Sequence, residues 1–273
     1  MQYTLEKPVK IVGKGLHTGN NVTMTVFPAE PLFGIRFVRT DIKECPEVEV
    51  NWQNRLDIPL CTALGAGSAK ILTVEHFLAA CQGLGLANLR IEINGPELPA
   101  LDGSALEFYK ALLVGGIVAQ QPKPKLVLKE SIYLTDGQAF IAALPSSSLR
   151  LSYTFVSLHD NVPDMFFDYN LEDGEFETQL APARTIAFRE QLEQLRAQGF
   201  ALGGDENMVV LIDKTGFANE RRFSNEVARH KVLDLLGDLT LIGVVNLQAH
   251  IIAVGTGHRH NARLVKEIFQ RRI

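Results

Sequence analysis

Cysteine is scarce in this chain: three in 273 residues, Cys45, Cys61 and Cys81, odd in number and irregularly spaced. Such a set argues against a disulfide frame or a cysteine-type zinc knot, so the thiols are expected to be reduced, with Cys61 and Cys81 buried. Long apolar runs are missing too. No stretch approaches the roughly 20 residues of a membrane span, so no stable membrane insertion is expected. The opening residues, MQYTLEKPVKIVG, lack the basic-then-apolar layout of a secretion signal, and the expected location is the cytoplasm. Nor is there an excess of positive charge. A net charge of −4 gives no broad attraction to phosphate backbones or anionic lipids, which argues against nucleic acid as a partner while leaving room for a local basic patch on a phosphorylated ligand.

What remains is an ordinary globular composition, 46% hydrophobic and 21% charged, in a chain long enough to favour two domains. Alternation predicts a hairpin through Val9, Ile11, Val22, Met24 and Val26, with His17 near its bend in GKGLHTG. A histidine beside glycines in a turn reads first as a surface or loop-clamping residue. Strands are expected over 35–39 and 48–52. Then LTVEHFLAACQGLG switches to helical spacing, with Thr73 as N-cap, Glu75 and His76 in the first turn and Gly83 as the stop. LANLRIEING is a strand, and GPELPALDGSALEF a loop feeding a helix over about 105–113.

The best linker is AQQPKPK, which divides the chain into 1–121 and 122–273. Beyond it, strands are expected over 126–128, 140–143, 149–155 and 208–212, an acidic surface segment over 168–177, a helix ending near Gln198, and a strand over 243–254 closing on a GTGHRHN loop. Strands first and a buried helix later, in both halves, imply an α+β class of sheets packed on helices, with the halves as similar units.

The stretch 224–239, SNEVARHKVLDLLGDL, carries the strongest chemical signal. Val227, Val232, Leu235, Leu236 and Leu239 form one stripe of a helix; Glu226, His230, Asp234 and Asp238 recur every four residues on another. His230 and Asp234, one turn apart, can grip one metal ion, although the same spacing occurs on solvated helix faces. A hydrolytic zinc site needs a third ligand, an open position and a nearby base. Glu75-His76 offers a ligand and a base in one turn. A second histidine kept cationic by a carboxylate would stabilise an oxyanion, and His258 in its glycine-flanked loop, with Asp238 as partner, fits better than His260.

In this combination the sequence resembles the zinc-dependent UDP-3-O-acyl-N-acetylglucosamine deacetylases of lipid A synthesis. The matching stretches are GKGLHTG, TVEHFLAAC, NGPELPALDGSA, ART at 183–185, GFALGGDEN, RHKVLDLLGDL and GHRHN, in the family's order across nearly the whole chain. The resemblance implies His76, His230 and Asp234 as ligands of zinc, with ferrous iron as the alternative cation. It implies Glu75 as general base, and His258, held by Asp238, as the charged acid. Thr185 would assist at the tetrahedral centre and Lys231 would contact the UDP-linked, acylated glucosamine near the sugar. It further implies two α+β domains, an active site at their junction and an acyl passage formed by 186–209; a monomer is expected. Ile186 stands where the family commonly has phenylalanine, and Arg189, Asp205 and Glu206 are polar for a fatty passage. Lys231, Arg229 and Arg259 are candidates for phosphate. Two rival readings are a non-haem iron oxygenase, whose facial triad also has two histidines and a carboxylate, and a non-catalytic protein clamped by a closed metal site.

Overall fold

A computed structural model describes residues 1–271. The fold is α+β, with sheets packed against helices. The first large sheet has the strand order Val9–Lys14, Asn21–Pro28, Leu89–Ile93, Ile35–Arg39, Glu47–Glu49. The second has Ile132–Asp136, Ala139–Pro145, Asn246–Val254, Leu149–Phe155, Met165–Asn170, with Lys125–Val127 pairing alongside Asn246–Val254. Corresponding pairs have the same sense: the third and fourth strands run parallel in each sheet and the other neighbours antiparallel. The halves are two copies of one topology, although they share little sequence.

A parallel pair needs a long crossover, and in both halves a helix supplies it. Helix α1 (Glu75–Gly83) lies in the first crossover and α2 (Leu106–Val114) follows that sheet. In the second half α3 (Arg189–Ala197) belongs to an insert, α4 (Glu226–Leu239) lies in the crossover and α5 (His258–Gln270) follows the sheet. Alternation decides which strand face is covered: Val9 and Ile11 are buried and Lys10 and Val12 exposed. Phe77 of α1 packs edge-on between Phe37 of the first sheet and Phe108 of α2, and all three are fully buried. Each such ring contributes about 1.5–3 kcal/mol by leaving water, so truncating Phe77 would loosen α1 from its sheet.

Each half also carries a small insert between its last-named edge strand, Glu47–Glu49 or Met165–Asn170, and the crossover helix. The first is a three-stranded sheet of Arg55–Leu56, Ala63–Ala66 and Ala69–Ile71; the second contains α3 and the three strands Thr185–Phe188, Val209–Asp213 and Gly216–Phe217. Both inserts face the same cleft.

Several sequence expectations need correction. Thr73 is not a helix cap: it has φ 58° and its hydroxyl donates to Glu97, while the residue before α1 is Val74, without a side-chain cap. The helix does end at Gly83, as expected, and the chain turns left-handed two residues later at Gly85. His258 is not in a loop but is the first residue of the 13-residue α5. Gly255, Thr256 and Gly257 make a three-residue connection between the strand Asn246–Val254 and α5, with Gly257 at the cap position. The segment expected as an acidic surface begins in a strand that buries Tyr169, and Phe176 beyond it is buried as well. Trp52 lies in a short 3-10 turn beyond Glu47–Glu49. Cys61 and Cys81 are buried, Cys45 is exposed, and all three are free. Among the described residues no helix is long and apolar enough to cross a membrane.

Candidate metal centre

Helices α1 and α4 cross at the cleft with their backbones nearly touching. Ligand atoms of His76, His230 and Asp234 lie within 4.8 Å of one another, and all three residues are buried. His76 Nε2 is 3.6 Å and His230 Nε2 3.2 Å from Asp234 Oδ1, and the imidazole rings meet edge to face at 4.9 Å. His230 Nδ1 is 3.0 Å from the Ala183 carbonyl, which can only accept, so Nδ1 carries the proton. Burial is the main force on His230 and outweighs the Asp234 charge, pulling its pKa down to about 3. The ring is therefore neutral, and its Nε2 lone pair faces a carboxylate oxygen. Asp234 Oδ1 has no hydrogen-bond donor although it is fully enclosed. Two electron-rich atoms held this close on buried side chains suit a cation between them. The residues present fit a divalent metal, with an Ala183 carbonyl fixing the orientation of one ligand from outside the coordination sphere.

The other oxygen of Asp234 accepts from Lys231 Nζ at 2.9 Å. Burial raises Asp234, but the neighbouring Lys231 and His258 hold it well below its usual value; burial likewise lowers Lys231, and Asp234, Tyr153 and Asp238 together raise it. Glu75 is buried on the first turn of α1 with Oε2 accepting from the Thr62 backbone at 3.0 Å. Burial lifts its pKa against the lowering influence of His258 and His76. Oε1 faces His258 Nε2 at 4.0 Å. His258 Nδ1 lies 2.9 Å from Asp238 Oδ2, which also accepts from Asn261 Nδ2 at 2.9 Å. Burial alone would lower His258; Asp238 and Asp234 reverse it and push the imidazole to about 9. Its Nε2 then points a proton into the site, 3.8 Å from Asp234 Oδ2.

A cavity of about 700 Å³ runs from these groups toward the second insert. Glu75, His76, His230, Lys231, Asp234, His258 and Thr185 line its polar end, with Ile186, Phe188, Leu192, Leu195, Val209 and Leu211 along the apolar part. Arg189 turns away to Glu206 at 3.1 Å. Asp205 and Glu206 do reach the lining. His17 also lines the cavity, its Nδ1 buried without a partner and its ring against Phe200. The bend carrying it is clamped by Glu97, which accepts from the backbones of His17 and Thr18 at 2.7 Å each. The second insert seals onto this bend: Gly203 N donates to the Leu16 carbonyl, and a Cβ on Gly203 would lie 2.0 Å from the Gly15 oxygen. Glycine is required there by close approach of two backbones.

A family model, UDP-3-O-acyl N-acetylglycosamine deacetylase, matches residues 2–270. The chain belongs to that family. Among its relatives, UDP-3-O-acyl-N-acetylglucosamine deacetylase of Syntrophus aciditrophicus is 37% identical over 98% of this chain and 86% of its own length. The protein of the same name from Thermosynechococcus vestitus is 36% identical over 100% of this chain and 95% of its own. A protein of Chlorobaculum tepidum named bifunctional enzyme LpxC/FabZ is 37% identical over 98% of this chain and 64% of its own. Membership of a deacetylase family gives no support to the oxygenase or to the non-catalytic clamp.

The deacetylase-family motifs fall at this cleft, but sequence reading missed much that orients them. Glu226, read as part of the working stripe, instead accepts from Arg184 Nε at 2.9 Å and from the Arg184 backbone, fixing the strand start that carries Ala183 and Thr185. Thr62, Glu97 and Asn261 were not singled out. Asn261 was within reach, as the last letter of GHRHN; Thr62 sits in a stretch with no periodic signal. Arg229 is taken up by Phe167 and Phe223, with its guanidinium 4.1 and 4.2 Å from the rings, and does not line the cavity.

Proposed function

We propose that this chain is a zinc-dependent amidohydrolase that removes the N-acetyl group of UDP-3-O-(3-hydroxyacyl)-N-acetylglucosamine and releases acetate, the committed step of lipid A synthesis. In this reading it acts in the cytoplasm as a monomer built of two units, 1–121 and 122–273, a division that the repeated sheet order supports. The observation that carries the chemistry is the buried, donor-free Asp234 Oδ1 facing His230 Nε2 beside a second carboxylate, Glu75, left free to move protons.

His76, His230 and Asp234 would hold the cation, zinc rather than ferrous iron in this proposal. When bound, it supplies Lewis acidity, polarising the acetyl carbonyl and easing loss of a proton from water. Glu75 Oε1 takes that proton as the water oxygen bonds to the acetyl carbon; its raised pKa suits a base that must later give the proton back. The Nε2–H of His258 and the Thr185 hydroxyl donate to the developing oxyanion, with Asp238 keeping the imidazole charged and in the right tautomer. The C–N bond then breaks, the nitrogen receiving a proton from Glu75 or His258, and acetate leaves. Lys231 contacts the substrate near the sugar, and the apolar wall from Ile186 to Leu211 takes the acyl chain.

The test is acetate release from synthetic UDP-linked substrates of graded acyl length. Turnover that disappears with a chelator and returns with zinc supports the reading; no acetate from any of them sinks it.

A further inference from the structure

Thr62 has no part in the steps above, yet it touches both proton-handling groups. It is 1% exposed. Its backbone N–H donates to Glu75 Oε2 at 3.0 Å, its hydroxyl donates to Asp238 Oδ1 at 2.5 Å, and Oγ1 lies 3.2 Å from His258 Nδ1. A carboxylate only accepts, so the hydroxyl proton is committed to Asp238 and the oxygen lone pairs are left facing the imidazole. The Nδ1–H of His258 is then shared between Asp238 Oδ2 and Thr62 Oγ1. Asp238 is held at both ends, by Thr62 on Oδ1 and by Asn261 on Oδ2, and has no freedom to rotate and carry the ring with it. Thr62 comes from the first insert, Glu75 from α1, Asp238 from α4 and His258 from α5, so one residue ties together three helices, its backbone N–H reaching α1 and its hydroxyl α4 and α5.

We propose that Thr62 is a positioning residue for catalysis, its hydroxyl fixing the Asp238–His258 pair and its backbone fixing Glu75 so that both face one point of the cleft. The inference rests on the deacetylation reading for its kinetic consequence but not for its structural one. Removing the hydroxyl leaves Asp238 Oδ1 a buried acceptor without a donor and lets the imidazole swing. Small misplacements of a reacting group cost far more in turnover than in binding.

The experiment compares Thr62→Val, Thr62→Ala and Thr62→Ser, each alone and with His258→Ala. Folding and zinc content are checked by thermal melts and elemental analysis. Without the hydroxyl, kcat is expected to fall on the order of 10- to 100-fold with KM changed by less than about twofold, and serine is expected to restore most of it. In the His258→Ala background the same substitution is expected to cost less than about threefold, because there is no ring left to misplace. Equal losses in both backgrounds, or a kcat for Thr62→Val within about twofold of the parent, would overturn the proposal. A readout independent of turnover separates its failure from that of the deacetylation reading. The low-field Nδ1 proton of His258, identified in NMR spectra by its absence from His258→Ala, should persist in Thr62→Ser and shift or exchange away in Thr62→Val and Thr62→Ala. An unchanged resonance in all of them overturns the proposal even if the parent protein releases no acetate.

Discussion

Gly237 of α4 lies so close to the backbone carbonyl of Glu75 in α1 that a Cβ on it would stand 2.1 Å from that oxygen. This contact sets the separation of the two helices that bring His76 to His230 and Asp234. Gly237→Ala should therefore push the helices apart, destabilising the protein by about 1–3 kcal/mol and weakening zinc binding in parallel. Denaturant unfolding and zinc titration check this; unchanged zinc affinity in a folded Gly237→Ala protein would detach the metal site from the helix contact.

Glu75 shares its helix turn with His76 but turns its free oxygen toward His258. Glu75→Gln keeps the size and removes the base. Turnover should drop about 10²–10⁴-fold with zinc stoichiometry intact. Full activity in that variant would remove Glu75 from the mechanism.

The pH dependence follows from the two raised groups. His258 is lifted from 6.5 to about 9, so the protonated ring and the stability it adds are fully present below 6.5 and are lost as pH rises through about 9. A cation held by Asp234 would lower the ring's pKa, so the basic limb of the loaded enzyme is expected below about 9. The acid limb belongs to Glu75, raised above 4.5 by burial. His258→Ala should abolish the basic limb of kcat/KM and leave the acid one; a surviving basic limb would assign it to another group.

Arg184 and Glu226 form a buried pair at the start of α4, with side chains 8% and 0% exposed. Glu226→Ala strands the guanidinium and should cost about 3–5 kcal/mol, read by urea unfolding. Because the same segment presents the Ala183 carbonyl to His230, zinc affinity should fall as well. A loss of stability with zinc affinity retained would confine the pair to a structural role.

Sequence patterning revealed most of both sheets and four of the five helices, because alternation at Val9, Ile11 and Met24 or the stripe at Val227 and Leu235 is a local consequence of which face is covered. Helix α5 escaped because His258, Arg259, His260 and Asn261 read as polar loop after two glycines, and only the fold shows them starting a helix. The repeat was hinted at by element order but is visible only in strand order, since burial constrains the pattern of apolar residues and not their identity. At the cleft, motif letters pointed to the ligand set. What they could not convey is how residues such as Thr62 and Glu97, which make their bonds across 176 and 80 positions of chain, hold those groups in place.

Anomalous diffraction at the zinc edge on the zinc-loaded protein tests the shared cation most directly. One peak is expected per chain, about 2.0–2.2 Å from His76 Nε2, His230 Nε2 and an oxygen of Asp234, and absent in His230→Ala. No peak among these three residues, or a peak held elsewhere in a protein that still releases acetate, would contradict it.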